Sequence, residues 1–93
     1  MDLFNTHSGP AIEFDGITLV LSEIKSVSKP ILVHSVSTFN RYAIVVEMKN
    51  SNSINWFYKT DIKYPNYNDD VEVQKVIDGL MVYYNELIAY WKL

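Results

Sequence analysis

Apolar and polar residues alternate in the middle of the chain, and the spacing changes to a helical period towards its end. Within residues 42–48 and 54–60, every second side chain is large and apolar or aromatic, with few exceptions. A period of two is typical of β-strands that cover a core with one face. We therefore expect Ile54, Trp56 and Tyr58 to share one face of a strand and Phe57 to lie on the other.

Beyond residue 69 the apolar positions recur at intervals of four and three, which predicts an amphipathic helix of about 24 residues. These positions are Val73, Ile77, Leu80, Tyr84, Leu87 and Trp91. Asp69 is a candidate N-cap with Glu72 at capping-box spacing, and Asp70 adds negative charge that suits the first turn. Gly79 weakens the helix by ~1 kcal/mol relative to Ala. Its missing Cβ would let a strand or a second helix approach closely.

Turn signals divide the first half of the chain into short elements. Asp15 and Gly16 form a pair favoured in type I′ turns, so residues 11–20 are expected to form a hairpin, or one strand with a bulge at Gly16. Residues 22–30 fit either a short strand or a single helical turn. The other expected elements are a strand over 31–37, a turn over 38–41 and a hairpin loop over 49–53.

Together these elements predict an α+β fold. A bent antiparallel sheet of four to six strands would pack on one long C-terminal helix. We expect a single domain over residues 11–93, preceded by a flexible N-terminal arm over residues 1–10.

The order of the elements resembles small bacterial PH-like domains. Residues 22–27, Ser-Glu-Ile-Lys-Ser-Val, match the short element that precedes the antiparallel strands of those domains. Residues 42–48, residues 54–60 and the helix from Asp69 match the rest. The resemblance implies a curved sheet that is plugged by the C-terminal helix. It implies no lipid-headgroup site, because the basic residues are not clustered in the first hairpin.

Composition narrows the function classes. The 93 residues include no Cys, which excludes disulfides, Cys-ligated zinc and thiol catalysis. The net charge of -3 argues against direct nucleic-acid binding, since such proteins rely on Lys and Arg at phosphates. Negative charge dominates residues 1–24 and 69–93, whereas residues 25–63 are locally basic. No secretory leader or membrane-length apolar stretch is recognisable, so we expect a cytoplasmic protein and no membrane contact.

The sequence offers no constellation that would carry catalysis. His7 and His34 are isolated, and no Gly-x-Ser-x-Gly elbow or phosphate loop is present. Asp69, Asp70 and Glu72 lack the spacing of a calcium loop and are explained by helix capping. We therefore expect no catalytic residues, no metal, no cofactor and no enzymatic activity.

The predicted helix carries more apolar surface than one small sheet requires. Either a strongly curved sheet wraps around the helix, or the surplus face is an interface to a second copy or to another protein. Trp56 and its aromatic neighbours raise the same question, because three consecutive strand residues cannot all face one core.

We expect a small non-enzymatic protein-binding module, either a stoichiometric inhibitor or an adaptor. An anti-defence protein of a phage or mobile element, acting in the host cytoplasm, and an immunity-type protein both fit an acidic helix face that selects its partner by charge. The alternative is a homo-oligomeric structural or accessory protein, for example of a phage particle, that dimerises through the C-terminal helix. The candidate partner-binding residues are Asp69, Asp70, Glu72, Asp78, Glu86, Tyr83, Tyr90, Trp56 and Tyr58.

Overall fold

The computed structural model describes residues 10–50 and 54–92, which form antiparallel strands followed by one long helix. This confirms the predicted α+β class. The described elements are β1 (Ala11–Phe14), β2 (Ile17–Val20), β3 (Ile24–Val27), β4 (Ile31–Ser35), β5 (Phe39–Met48), β6 (Ile54–Lys63) and α1 (Asp70–Trp91). The expected arm lies outside the described residues except for Pro10, and so do residues 51–53 of the expected hairpin loop.

β1 and β2 form a two-stranded sheet of their own, closed by the predicted turn. Asp15 and Gly16 have φ angles of 55° and 73°, and Phe14 pairs with Ile17 across the turn. Two positive φ angles are the requirement of a type I′ turn, so the hairpin prediction is confirmed. The carbonyl of Pro10 accepts a hydrogen bond from the Leu21 N–H over 3.0 Å, which ties residue 10 to the end of this hairpin.

The segment after the hairpin contains both of the elements that the sequence left open. A 3₁₀ turn over Leu21–Glu23 leads directly into β3. Ile24, the first residue of β3, is buried in the core.

β5 is the central strand of a four-stranded sheet. β6 pairs with one edge of β5, and β3 and β4 pair with different parts of its other edge, one after the other. Ser28, in the segment between β3 and β4, also bonds to this edge of β5. Its N–H donates to the Val45 carbonyl, and its hydroxyl accepts from the Val45 N–H. The segment that links two strands thereby continues the hydrogen bonding of β5.

β5 begins earlier than the alternation suggests. Residues 39–41 were expected in a turn but belong to the strand, and Arg41 pairs with both His34 and Asp61. The turn lies over residues 36–38, where the Val36 N–H donates to the Phe39 carbonyl over 3.0 Å.

A bulge in β6 changes which aromatic side chains reach the core. Tyr42 pairs with Thr60 and Ile44 pairs with Phe57, so two residues of β6 face one residue of β5. Tyr58, at the bulge, has a φ of 54°. Phe57 is fully buried, and Tyr58 packs edge-on against Phe14 at a centroid distance of 4.9 Å. The expected face of Ile54, Trp56 and Tyr58 is therefore wrong for Tyr58, because the bulge interrupts the period of two.

The core lies between the sheets and one face of α1. Its buried members are Phe14, Leu19, Ile24, Ile44, Val46, Phe57 and Leu87. Tyr84 and Trp91 of α1 pack against this cluster, and Leu80 is also buried. The predicted apolar stripe of the helix is thus the face that meets the sheets.

The start of α1 agrees with the predicted cap, but the full capping box does not form. The Asp69 side chain accepts a hydrogen bond from the Val71 N–H over 2.9 Å. The Asp69 N–H donates to the Asn66 carbonyl, whereas the Glu72 carboxylate lies 3.6 Å from the Lys75 ammonium. A 3₁₀ turn over Asn66–Asn68 precedes α1, and its Asn66 carbonyl accepts the hydrogen bond that the Glu72 side chain was expected to accept.

The outer side of α1 is left open by the sheets. Val71 and Val82 lie on this side and are 63% and 64% exposed, whereas Tyr83 and Tyr90 are exposed at the margins of the face that meets the sheets. No element of the described chain approaches Gly79 closely, since a Cβ built there would meet no atom within 4 Å.

Candidate functional site

Three large apolar side chains from two sheets meet on the outer surface beside β6. Ile17, Ile54 and Trp56 are 50%, 58% and 37% exposed. With Asn55 and Lys59 they line an open cavity of about 460 Å³. We call Ile17, Ile54 and Trp56 the sheet patch.

The local structure explains why these side chains converge. Ile54 and Trp56 are two apart on β6 before the bulge, so they project from the same face. Ile17 follows the type I′ turn directly, and the turn is held against the bulge of β6 by Asp15 and Tyr58. The patch therefore depends on the docking of the hairpin on β6.

A second aromatic site lies where the hairpin, the bulge and α1 meet. The rings of Tyr58 and Tyr83 stack at a centroid distance of 3.9 Å and an interplanar angle of 11°. Both rings line an open cavity of about 440 Å³ together with Asp15, Lys59, Thr60 and Leu80. The structure thus brings Tyr58 and Tyr83 together. The main contacts of Tyr58, however, link the hairpin, β6 and α1.

Tyr90 lies in a different region, near the end of α1. It lines an open cavity of about 520 Å³ that is mostly apolar. The other residues of this cavity are Pro10, Ala11, Ile12, Leu21, Ser22, Ile24, Lys49 and Trp91. Tyr90 is therefore separate from the Tyr58–Tyr83 stack.

The acidic residues at the start and along α1 are spread over its exposed side rather than forming a single row. Successive residues turn by about 100°, so Asp70 and Glu72 point about 160° apart, and Asp78 and Glu86 about 80° apart. Asp78 also accepts a hydrogen bond from Gln74 over 2.7 Å. Asp69 caps the helix and Glu72 pairs with Lys75, so three of the five carboxylates already have local partners.

An ion pair on the outer face of the sheet was missed by sequence reasoning. The Arg41 guanidinium donates two hydrogen bonds to Asp61, with Nε 2.6 Å from Oδ1 and Nη2 3.0 Å from Oδ2. The Arg41 guanidinium carbon also lies 5.1 Å from the centre of the Phe39 ring. The sequence placed Arg41 in a turn and ended the following strand at Thr60, whereas β5 begins at Phe39 and β6 extends to Lys63, which puts Arg41 opposite Asp61.

The ion pair shifts the pKa values of both residues. The hydrogen bonds from Arg41 lower the pKa of Asp61, opposed by partial desolvation and helped by the charge of Arg41, with smaller contributions from His34 and Lys59. The bond to Asp61 raises the pKa of Arg41. Both side chains are about one-third exposed, so the pair is a surface interaction.

The described residues contain no group of three or more His, Asp or Glu side chains that could hold a metal ion. Within the same ranges, 10–50 and 54–92, no helix is sufficiently long and apolar to cross a membrane.

Comparisons with protein-family models, curated proteins and solved structures gave no match. The resemblance to PH-like domains therefore stays a prediction from the order of the elements.

Proposed function

We propose that this protein is a binding module that acts by occupying a partner protein and performs no chemistry of its own. The observation that carries the proposal is the sheet patch, where Ile17, Ile54 and Trp56 expose adjoining apolar surface. Isolated exposed apolar residues are ordinary, whereas contiguous exposed apolar surface with a polar rim is typical of interaction sites. Tryptophan is also the residue type most enriched among the side chains that dominate binding energy.

The sheet patch has two properties that are typical of the centre of a protein interface: a preformed apolar surface and a polar margin. Its apolar residues come from a hairpin and a sheet that are fastened together, so the surface is formed before a partner arrives. Such preorganisation lowers the entropic cost of binding. Lys59 and Asn55 at the margin supply polar groups of the kind found in an interface rim.

The acidic residues of α1 add a second property to the proposed module. They are exposed or half-exposed and give this end of the chain a negative surface. Such charge speeds association with a basic partner and selects against acidic ones. A stoichiometric inhibitor or adaptor of the cytoplasm would use the patch for affinity and the helix for selection.

Affinity capture followed by variant binding tests this proposal. Tagged protein is used to capture partners, and complex formation is then measured by size-exclusion chromatography with light scattering and by calorimetry. Trp56→Ala should lower the affinity by about 30-fold or more, as expected for a central anchor, and Ile54→Asp should abolish the complex. Val71→Asp is the matched control, since Val71 is also exposed but lies on α1.

Two results would contradict the proposal. One is a complex that tolerates both patch variants but is lost with Val71→Asp, which would place the binding surface on the helix. The other is turnover of a captured molecule by the purified chain, which would make the protein an enzyme.

A further inference from the structure

The outer edge of β4 has the properties of a strand that pairs with its own copy. In the described part of the chain, β4 pairs with β5 alone, so its other edge presents unpaired backbone groups. Ile31 and Leu32, which are consecutive and so project to opposite faces of the sheet, are 45% and 47% exposed. A strand added at this edge would find an apolar neighbour on each face.

Charge separates this edge from the other outer strands of the four-stranded sheet, since β3 carries Lys25 and β6 carries three charged residues. No Lys, Arg, Asp or Glu occurs between Pro30 and Asn40. By contrast, β6 carries Lys59, Asp61 and Lys63. Charged side chains on an edge strand are a common protection against edge-to-edge pairing. β4 lacks that protection over its whole length.

We propose that two copies of this chain associate through antiparallel pairing of β4 with β4, which joins their four-stranded sheets. A two-fold axis places a segment against itself, so any charge in the segment would meet a like charge. The neutral stretch from Pro30 to Asn40 avoids this repulsion, and Leu32 of each copy covers apolar surface of the other. A different protein could place opposite charges against β4, so binding such a partner would not require an uncharged strand.

The structure also limits the strength of the dimer. Val33 is the extra residue of an irregularity in the pairing with β5, and such bulges twist an edge and shorten the ladder it can form. A pairing of five-residue strands also buries less than the ~800 Å² per partner of a standard stable interface. The dimer should therefore be weak and in concentration-dependent exchange, with a Kd in the micromolar range.

Sedimentation equilibrium from low micromolar to near-millimolar concentration tests this interface. Leu32→Lys should weaken dimerisation by about ten-fold or more, because it places like charges across the two-fold axis. Ile17→Lys and Val82→Lys make the same change at exposed positions on the sheet patch and on α1. Both variants should leave the dimer unchanged. The dimer proposal is therefore tested independently of the proposal that the sheet patch binds a partner.

Amide hydrogen exchange provides a readout specific to strand pairing. Exchange of the β4 amides should slow as the protein concentration rises, and this slowing should disappear in Leu32→Lys. A protein that stays monomeric at every concentration would overturn the proposal, as would β4 amides that are protected independently of concentration. A dimer lost in Ile17→Lys or Val82→Lys but kept in Leu32→Lys would overturn it in favour of another surface.

Discussion

Asp15 and Tyr58 are joined by two hydrogen bonds of opposite direction. The Asp15 N–H donates to the Tyr58 hydroxyl over 3.1 Å, and the Tyr58 N–H donates to the Asp15 carboxylate over 2.9 Å. Both residues have positive φ angles, 55° and 54°. The turn of the hairpin and the bulge of β6 are thus linked to each other through the two residues that depart from ordinary strand geometry.

Substitutions at Asp15 should distinguish the contribution of its hydrogen bond to stability from the contribution of its positive φ angle. Asp15→Ala loses the acceptor and also the short polar side chain that makes Asp tolerant of positive φ, so we expect a loss of about 2 kcal/mol in the free energy of unfolding. Asp15→Gly also loses the acceptor, but Gly adopts positive φ without steric cost, so this variant should lose only about 1 kcal/mol. Asp15→Asn keeps an acceptor oxygen and should cost least. Urea unfolding followed by tryptophan fluorescence measures all three, and equal losses for Ala and Gly would refute the conformational contribution.

Two glycines should respond in opposite directions to the same substitution. Gly79 lies in an exposed part of α1 with space around it, so Gly79→Ala should stabilise the protein by about 0.5–1 kcal/mol. Gly16 also has space, but its φ of 73° strains any residue with a Cβ. Gly16→Ala should therefore destabilise by about 1 kcal/mol. The same urea experiment tests both, and a destabilised Gly79→Ala would indicate a contact on the outer face of the helix.

The Arg41–Asp61 pair should make a small pH-dependent contribution to stability. The pKa of Asp61 is lower in the folded protein than in the unfolded chain, so its contribution is present above the unfolded pKa of about 3.9 and is lost as the pH falls through the folded value. The stability difference between wild type and Asp61→Asn should be constant near neutrality and should narrow below about pH 4.

Carboxylate titration by NMR gives a direct test of this assignment. Arg41→Gln should raise the pKa of Asp61 towards its ordinary value, because it removes the guanidinium hydrogen bonds. Lys25→Gln is the matched control, since Lys25 lies near Glu47 instead. An Asp61 titration that does not move in Arg41→Gln would contradict the pairing in solution.

Charge reversal on α1 should slow the binding of the captured partner. Asp70→Lys, Glu72→Lys and Asp78→Lys, combined, should lower the association rate by about ten-fold and flatten its salt dependence, with little change in dissociation. The matched neutral set, Asp70→Asn, Glu72→Gln and Asp78→Asn, should give an intermediate rate. Unchanged association and salt dependence in the reversed variant would remove the helix from partner selection. Circular dichroism checks that both sets retain the helix.

The sequence was most informative where local rules act without interruption. The period of Leu80, Tyr84 and Leu87 predicted the buried face of α1 because a helix repeats regularly over many turns. The Asp15–Gly16 pair predicted its turn because few residue pairs accept two positive φ angles. These signals depend only on neighbours in the chain.

Elsewhere, tertiary contacts overrode the local pattern. Tyr58 takes a positive φ that its residue type disfavours, in a bulge where Asp15 and Tyr83 hold it, and no neighbour in the sequence indicates this. The candidate site was predicted in part, since Trp56 was among the candidate partner-binding residues. Ile17 and Ile54 were missed because their approach depends on how the hairpin docks on β6.

The three strands that pair with β5 lie at different distances from it along the chain. It follows β4 after three residues and precedes β6 after five, so these three strands can meet by closing short loops. β3, by contrast, is separated from β5 by β4, and α1 comes only after β6. Because loop closure becomes less favourable with length, the β1–β2 hairpin and the β4–β5–β6 meander are the parts that can form earliest. The docking of the first hairpin and the helix, which assembles the sheet patch, then belongs to the later events of folding.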